Sequence, residues 1–313
     1  MQQYIGLDIG GTKISGLLLD ETGVPGKFVQ LPSLAKQGEG QVCQQIFRII
    51  EELLAALPEG SRAAGIGAGV PGAVDRETGE IVYAANLPFE KFPLKKMLEE
   101  KYQLPVCLEN DANAAAWGEY CFGAGCGVKN MIYVTASTGI GAGAVLNGQL
   151  FRGSTGNAFE LGHITIDRNG EICGCGNQGC AESYGSGSAI AQMAQAADKE
   201  NSLLRGLQNP EAVQVFAAAD AGDSLAAAII KKAIGDLGAC ISVAATLLDP
   251  DVIVLGGGLA YGNDRVFSLV KKEIERRCLP PVARHVQLLP AKLSQQAGLY
   301  GAAALLKGNL SSV

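Results

Sequence analysis

The feature that most constrains the fold is a strand–glycine turn–strand pattern that occurs twice. Near the start, apolar runs at residues 4–9 and 13–19 flank a glycine pair. Near the middle, apolar runs at residues 131–136 and 142–146 flank a second glycine turn. Apolar, β-branched runs joined by glycine turns are typical of β-hairpins. The recurrence predicts two α/β halves built on one plan.

The remaining periodicity predicts helices that alternate with strands, as in α/β proteins. Strands are predicted at 63–70, 105–108 and 252–255, and helices at 40–57, 94–101, 112–120, within 186–248 and at 295–307. Residues 67–72 also match G-x-G-x-x-G, but Pro71 and the residues after Gly72 predict a turn and a strand. A dinucleotide site needs a helix there. The segment is therefore interpreted as a rigid loop that lines a ligand.

Charge and hydropathy exclude several classes of protein. The net charge is −6 at pH 7 and the pI is about 5.1, so the basic footprint of a nucleic-acid partner is missing. The apolar stretch at residues 237–248 is shorter than the ~18 residues of a membrane span, and it contains Ser242 and Thr246. The first residues lack the features of a signal peptide. We expect a cytoplasmic protein with no membrane or nucleic-acid partner.

Glycine is unusually frequent, at 42 of 313 residues, nearly twice the ~7% average. Such glycines serve tight turns or the close approach of backbone to a ligand. The first turn, residues 8–13, could bind phosphate through bare N–H groups, the Thr12 hydroxyl and the Lys13 ammonium, with Asp8 suited to a hydrated Mg²⁺. An ordinary hairpin turn is the alternative. A second such turn, and three glycines after the strand at 252–255, favour a phosphate site.

The nine cysteines fall into two groups. Six stand singly among apolar residues and are expected to be small buried side chains: Cys43, Cys107, Cys121, Cys126, Cys240 and Cys278. The other three, Cys173, Cys175 and Cys180, follow His163 closely. One histidine and three cysteines form a complete tetrahedral zinc set with no open position, so a structural zinc is expected. Three reduced buried thiols are the alternative.

The catalytic candidate lies where a predicted strand meets a predicted helix, at Glu109-Asn110-Asp111. Asn110 or Asp111 could simply cap that helix. Alternatively, Asp111 faces the phosphate turns and accepts the proton of a hydroxyl that attacks a γ-phosphate. Phosphoryl transfer needs positioning, charge neutralisation and one such base. The hypothesis is a kinase with Asp111 as general base.

Taken together, these motifs resemble the ROK family of sugar kinases and repressors, in the actin-like ATPase superfamily, over nearly the whole chain. The matching segments are DIGGTK (8–13), GAGVPG (67–72), the Asn86-Leu87-Pro88 stretch, ENDANAA (109–115), STGIGAG (137–143), ELGH (160–163), CGCGNQGCAE (173–182) and VIVLGGG (252–258). Two positions depart from the family pattern, because Ser137 and Phe159 stand where it usually has glycine. Phe159 leaves the preferred sugar open.

The resemblance implies an α/β fold of two actin-like (ribonuclease H-like) domains with a cleft between them and a structural zinc loop. The first domain would comprise residues 1–112 plus a C-terminal helix at about 295–313, and the second, residues 113–294 with the zinc loop. The implied cofactors are ATP, Mg²⁺ and structural Zn²⁺. The nucleotide would be bound by Asp8, Gly10, Gly11, Thr12, Lys13, Thr138, Gly139, Gly256, Gly257 and Gly258. The sugar would be bound by Gly69, Asn86, Asn110, Asp111, Glu160, His163 and Glu182.

The implied activity is ATP-dependent phosphorylation of a hexose, in the first place glucose, to its 6-phosphate. Kinases for N-acetylmannosamine, N-acetylglucosamine, fructose or allose remain open, as does polyphosphate as the donor. A sugar-sensing transcriptional regulator is a remote alternative. Its DNA-binding module would precede the first strand, which begins here at about Tyr4, so none is expected. A filament or chaperone ATPase is a further alternative, and the sugar-contacting set argues against it. The resemblance also implies a homodimer.

Overall fold

The computed structural model describes residues 1–75, 78–84 and 86–309, and its fold is α/β. The strands are β1 (Gln2–Ile9), β2 (Lys13–Asp20), β3 (Pro25–Pro32), β4 (Arg62–Val70), β5 (Ala73–Val74), β6 (Ile81–Tyr83), β7 (Glu90–Phe92), β8 (Val106–Asn110), β9 (Met131–Ala136), β10 (Ile140–Leu146), β11 (Gln149–Phe151), β12 (Val252–Gly256) and β13 (Gln287–Pro290). The helices are α1 (Glu39–Ala55), α2 (Leu94–Tyr102), α3 (Asp111–Phe122), α4 (Glu182–Gly185), α5 (Gly187–Ala196), α6 (Ala212–Asp220), α7 (Ser224–Leu248), α8 (Asp264–Arg277), α9 (Pro280–His285) and α10 (Ala297–Asn309).

The chain divides into two compact units. Unit 1 comprises Met1–Tyr133, Gly143–Phe159 and Ala291–Val313, and unit 2 comprises Val134–Ala142 and Glu160–Pro290. Helix α3 groups with unit 1, whereas the sequence-based division assigned residues after 112 to the second domain. The division into domains at those residues stays a prediction. Among the described residues, every helix is too short or too polar to cross a lipid bilayer.

The first sheet has the strand order β3-β2-β1-β4-β8. Strand β1 is antiparallel to β2 and parallel to β4, and β4 is parallel to β8. Parallel strands end at the same edge of a sheet, so β1, β4 and β8 end together. Their register pairs Asp8 with Gly69 and Gly69 with Glu109. This edge therefore holds the predicted residues of unit 1.

Side chains of β1 alternate between the two faces of this sheet, as the pleat requires. Ile5, Leu7 and Ile9 are fully buried in a core cluster that includes the apolar side of α1. Tyr4 belongs to a second cluster with α10, in which Leu299 is buried. The predicted hairpin and the predicted C-terminal helix are thus confirmed, and helices cover both faces.

Several glycines let α10 approach its neighbours closely. A Cβ on Gly6 would lie 2.1 Å from the Leu299 carbonyl oxygen, and one on Gly67 would lie 1.8 Å from the Ala302 carbonyl oxygen. A Cβ on Gly301 would lie 1.6 Å from the carbonyl oxygen of Ala114 in α3. These three glycines therefore serve the close packing of helix backbone against sheet and helix.

The second sheet has the order β11-β10-β9-β12-β13, and a small third sheet has the order β5-β6-β7. After Gly72 the chain enters strand β5, which confirms that residues 67–72 do not open a helix. Of the six single cysteines predicted to be buried, Cys43, Cys240 and Cys278 are buried and Cys107 and Cys121 are partly buried. The prediction was wrong for Cys126, which is exposed.

Candidate functional site

The first glycine turn joins β1 to β2 in a tight loop. The Gly10 N–H donates to the Lys13 carbonyl over 3.0 Å, and the Ser33 N–H donates to the Thr12 carbonyl over 3.0 Å. Thr12 and Lys13 are exposed. Gly11 has no Cβ, and this lets the carbonyl of Asn86 lie 2.5 Å from where that atom would be. The turn thus presents a hydroxyl and a cation beside the predicted residue Asn86.

Two carboxylates lie near this turn. The pKa of Asp8 is raised to about 6, first by burial and then by the Asp111 carboxylate, while the Lys13 ammonium lowers it. Asp8 therefore lies within electrostatic reach of both Asp111 and Lys13. Burial also raises the pKa of Asp111, partly offset by the Ala112 N–H that its carboxylate accepts. Two neighbouring carboxylates with raised pKa values are a recognised feature of catalytic and cation-binding sites.

Asn110, and not Asp111, caps helix α3. The Asn110 side-chain oxygen accepts from the N–H groups of Ala112 at 2.9 Å and Asn113 at 3.1 Å, and its amide donates to the Gly72 carbonyl at 3.2 Å. Asp111 is the first residue of the helix. The position where a Cβ would stand on Gly69 is 3.5 Å from the Asp111 Cα, which is an ordinary van der Waals distance. Gly69 therefore lies directly against the backbone that carries Asp111.

The second glycine turn, in unit 2, is tied to both Ser137 and Glu182. The Ser137 N–H donates to the Gly139 carbonyl over 2.9 Å, and the Ser188 N–H donates to the Thr138 carbonyl over 3.1 Å. Glu182 accepts the Ile140 N–H through Oε2 at 2.8 Å. The same oxygen lies 2.4 Å from the Cβ position of Gly139. Glu182, predicted from the resemblance as a sugar contact, thus directly holds the turn predicted to bind phosphate.

The third glycine segment follows β12. Gly257 has φ of 88°, a left-handed conformation that favours glycine, and a Cβ there would lie 2.3 Å from the Ala136 carbonyl oxygen. The Leu259 N–H donates to that carbonyl over 3.0 Å. At Gly258 nothing lies within 4 Å of the Cβ position. The segment therefore turns tightly at the end of β9 and leaves open backbone at Gly258.

Glu160 and His163 bracket a single 3₁₀ turn, Leu161–His163. The His163 N–H donates to the Glu160 carbonyl over 3.0 Å, and Glu160 is exposed. The Cβ position of Gly162 lies 2.5 Å from the Ile140 carbonyl oxygen, so this turn packs against the second glycine turn. Phe159 precedes it with φ of 71°, a conformation that costs a residue with a side chain roughly 1–2 kcal/mol.

The predicted zinc ligands converge on one point. Ligand atoms of His163, Cys173, Cys175 and Cys180 all lie within 4.8 Å of one another. The Cys173 Sγ is 3.9 Å from the His163 Nδ1, and the Cys175 and Cys180 sulfurs are 3.7 Å apart. A tetrahedron with Zn–S bonds of ~2.3 Å has edges of roughly 3.8 Å. The four side chains therefore fit zinc in number, type and spacing.

The structure thus brings the predicted residues together within each unit. Unit 1 groups the first glycine turn with Asp8, Gly69, Asn86, Asn110 and Asp111. Unit 2 groups the second glycine turn with Glu160, Glu182 and the four-ligand cluster. Two residues to which the sequence analysis assigned no role also belong to the first group: Glu109, which is 4% exposed, pairs with Arg152.

The whole chain was compared with known protein families, sequences and structures. The chain matches the ROK family over residues 4–309. It is 36% identical to a glucokinase of Halalkalibacterium halodurans, over 99% of this chain and 96% of that protein. It is 30% identical to a xylose repressor of Bacillus subtilis, over 96% of this chain and 76% of the repressor. A ROK family glucokinase from Streptomyces griseus, solved in complex with glucose and AMPPNP, is similar with a TM-score of 0.82 at 34% identity, covering 98% of this chain and 99% of that one. Since the family match spans nearly the whole sequence, this chain belongs to the ROK family.

Proposed function

We propose that the protein is an ATP-dependent glucokinase that transfers the γ-phosphoryl group of ATP to the 6-hydroxyl of glucose. The observation that carries the proposal is the placement of Asp111 beside Asp8 and the first glycine turn. That placement occurs in a chain 36% identical to a glucokinase over nearly its full length. It groups Asp111, Asp8 and the first glycine turn, to which we assign the roles of base, cation ligand and phosphate-binding turn.

Asp111 acts as the general base. Its carboxylate accepts the proton of the sugar 6-hydroxyl as that oxygen forms a bond to the γ-phosphorus. The bond from the γ-phosphorus to the β–γ bridging oxygen breaks, and ADP leaves with that electron pair. A pKa raised by burial makes Asp111 a stronger base than an exposed aspartate. A positioned general base contributes roughly 10²–10⁴ in rate.

The glycine turns bind the nucleotide. Gly10, Gly11, Thr12 and Lys13 bind phosphate in unit 1, and Thr138 and Gly139 bind it in unit 2. Gly256, Gly257 and Gly258 lie on the adenosine side. Asp8 holds a hydrated Mg²⁺, since hard cations of this type take carboxylate and water ligands.

We assign sugar recognition to Gly69 and Asn86, which would line the loops, and to the side chains of Asn110, Asp111, Glu160, His163 and Glu182, which would bond hydroxyl groups. Zinc is held by His163, Cys173, Cys175 and Cys180. Bound there, zinc would supply a rigid cross-link for the loop that carries His163 and Glu182, and four protein ligands would leave no position for a reactive water. A homodimer in the cytoplasm is also part of this proposal.

A panel of sugars with ATP and Mg²⁺ tests the proposal through coupled ADP release. Glucose, fructose, allose, N-acetylglucosamine, N-acetylmannosamine and xylose are compared at equal concentration, with ATP alone as the blank. The proposal expects the highest kcat/KM with glucose and little ADP release without sugar, and mass spectrometry should identify a hexose 6-phosphate. A higher kcat/KM with another sugar would reassign the substrate. ADP release that no sugar stimulates would reject the kinase.

A further inference from the structure

A buried ion pair lies directly behind the Asn110-Asp111 pair. Glu109 is the last residue but one of β8, and its side chain is 5% exposed. Its Oε2 accepts from the Nε of Arg152 at 2.5 Å, and the Arg152 side chain is 22% exposed. Arg152 directly follows β11, so the pair joins two segments 43 residues apart.

The second oxygen of Glu109 is also engaged. Its Oε1 accepts from the Asn110 N–H at 3.1 Å and from the side-chain amide of Asn113 at 3.2 Å. Asn113 lies in the first turn of α3 and is 2% exposed. The carboxylate therefore bridges the end of β8 to the first turn of α3. Asp111 lies between these two anchor points.

On the other side, Arg152 closes a loop. Its carbonyl accepts the Ala158 N–H over 3.1 Å. Gly153 has φ of 67°, and a Cβ there would lie 2.8 Å from the Ala158 Cβ, so the loop is tightly drawn together at its neck. Phe159 follows with φ of 71°, and Glu160 comes next in the chain. The orientation of the backbone that enters Glu160 thus depends on a loop anchored at Arg152.

A contribution to folding stability does not account for the Glu109–Arg152 ion pair. The cost of removing two charges from water often equals or exceeds their attraction in the interior, so neutral side chains of similar shape would serve stability as well. The pair does impose a specific geometry, because every carboxylate oxygen has a defined donor. Catalysis depends on such geometry, since a displacement of ~1 Å can cost roughly 10²-fold in rate.

We propose that Glu109 and Arg152 form a positioning pair that sets Asp111 on one side and the loop leading to Glu160 on the other. This inference rests on the proposed function, in which Asp111 is the base and Glu160 binds sugar. Neither residue of the pair is assigned contact with substrate. Loss of the pair should therefore lower kcat and raise KM for glucose, and should leave KM for ATP nearly unchanged.

The test uses Glu109→Gln, Arg152→Gln and the double variant carrying both changes. The double variant has no unpaired buried charge and keeps side chains that can hydrogen-bond, so it is the variant most certain to fold. Each single change is expected to lower kcat/KM for glucose by at least ~10-fold, and the double variant by no more than about the worse single change, because both act through one contact. Arg152→Lys should retain more activity than Arg152→Gln, since it keeps the charge.

Arg48→Gln serves as the matched control, because it removes an exposed ion pair to Glu52 on α1 and should leave both KM values unchanged. Thermal melting and zinc content establish that each variant is folded. The fluorescence of Trp117, the single tryptophan and a residue of α3, is expected to change when glucose binds and so to follow binding independently of turnover. A shift of its titration midpoint to higher glucose is expected for the variants.

The proposal is overturned if the folded double variant has the wild-type kcat/KM for glucose, or if the two single losses simply multiply in the double variant. A parallel rise in KM for ATP would also overturn it, because that pattern indicates general damage. If the wild type phosphorylates glucose normally and a variant gives any of these results, the positioning role of the pair is rejected and the proposed function stands. A wild-type chain that phosphorylates no sugar would reject the proposed function, and with it this inference.

Discussion

Replacing Asp8 with asparagine should stabilise the protein at neutral pH while it removes a group required for activity. The pKa of Asp8 is raised from 3.8 to about 6, chiefly by burial and then by the Asp111 carboxylate. One pKa unit corresponds to ~1.4 kcal/mol, so the ionised side chain costs up to about 3 kcal/mol in the folded state. Stability that is given up in this way is expected at a functional carboxylate and not at a structural one.

The pH dependence follows from the direction of that pKa change. The folded chain binds the Asp8 proton more tightly than the unfolded chain does. The stability that protonation confers is therefore fully present below pH 3.8 and is lost as the pH rises through about 6. An asparagine never ionises. The gain from Asp8→Asn should thus be largest, up to about 3 kcal/mol, at pH 7.5 and should shrink to about 1 kcal/mol at pH 4.5.

Urea unfolding followed by Trp117 fluorescence measures this effect, since Trp117 lies in the same unit as Asp8. Asp20→Asn is the control of opposite sign. The pKa of Asp20 is lowered, first by the hydrogen bond from the Thr22 hydroxyl, so its loss should reduce stability at pH 7.5. If Asp8→Asn is less stable than the wild type at pH 7.5, or if its gain does not change with pH, the burial argument is refuted.

Three further outcomes are expected. Cys175→Ala should purify with well under one zinc per chain by metal analysis, since one of four ligands is lost, and full zinc content would contradict the ligand set. Gly301→Ala should destabilise the protein by about 3 kcal/mol, because the new Cβ would lie 1.6 Å from a backbone oxygen of α3. Gly235→Ala in α7 should instead stabilise the protein by roughly 0.5–1 kcal/mol, because nothing lies within 4 Å of its Cβ position. Equal urea midpoints for these two variants would refute the close-approach account. Lys13→Met should move the acidic limb of the pH profile of kcat/KM to higher pH, because it removes the cation that lowers the pKa of Asp8. An acidic limb at the wild-type pH would show that Lys13 does not influence the ionisation of Asp8 during catalysis.

Local sequence patterns were sufficient to predict the strands that position the candidate site. Apolar runs bounded by glycine predicted the hairpin of β1 and β2, and β4 was found within one residue of its predicted bounds. Strand β3 was not predicted, because it lies at the edge of its sheet and only Val29 is buried, so it lacks an apolar run. Helix α8 was also missed, although Val266, Val270 and Ile274 recur at helical spacing and offered a usable signal.

In the candidate site, too, features set by neighbouring residues were predicted, and features set by distant contacts were not. The zinc ligands lie close together in sequence, and their spacing alone predicted a set that the structure brings together. The cap at Asn110 was one of two alternatives that the sequence left open. It was decided by where the helix begins, because Asn110 precedes it and accepts the N–H groups of Ala112 and Asn113, while Asp111 is its first residue. The Glu109–Arg152 pair could not be predicted, since it depends on how a distant loop closes. No pattern in the chain indicates that Arg152 pairs with β8.

The central claim is that Asp111 accepts the proton of the attacking sugar hydroxyl, and single-turnover kinetics of Asp111→Asn tests it most directly. Asparagine keeps the size of the side chain and removes the base. With saturating glucose, ATP and Mg²⁺, the rate of glucose phosphorylation should fall by at least ~10²-fold, while Trp117 fluorescence still reports partial glucose binding. A phosphorylation rate close to that of the wild type would contradict the account.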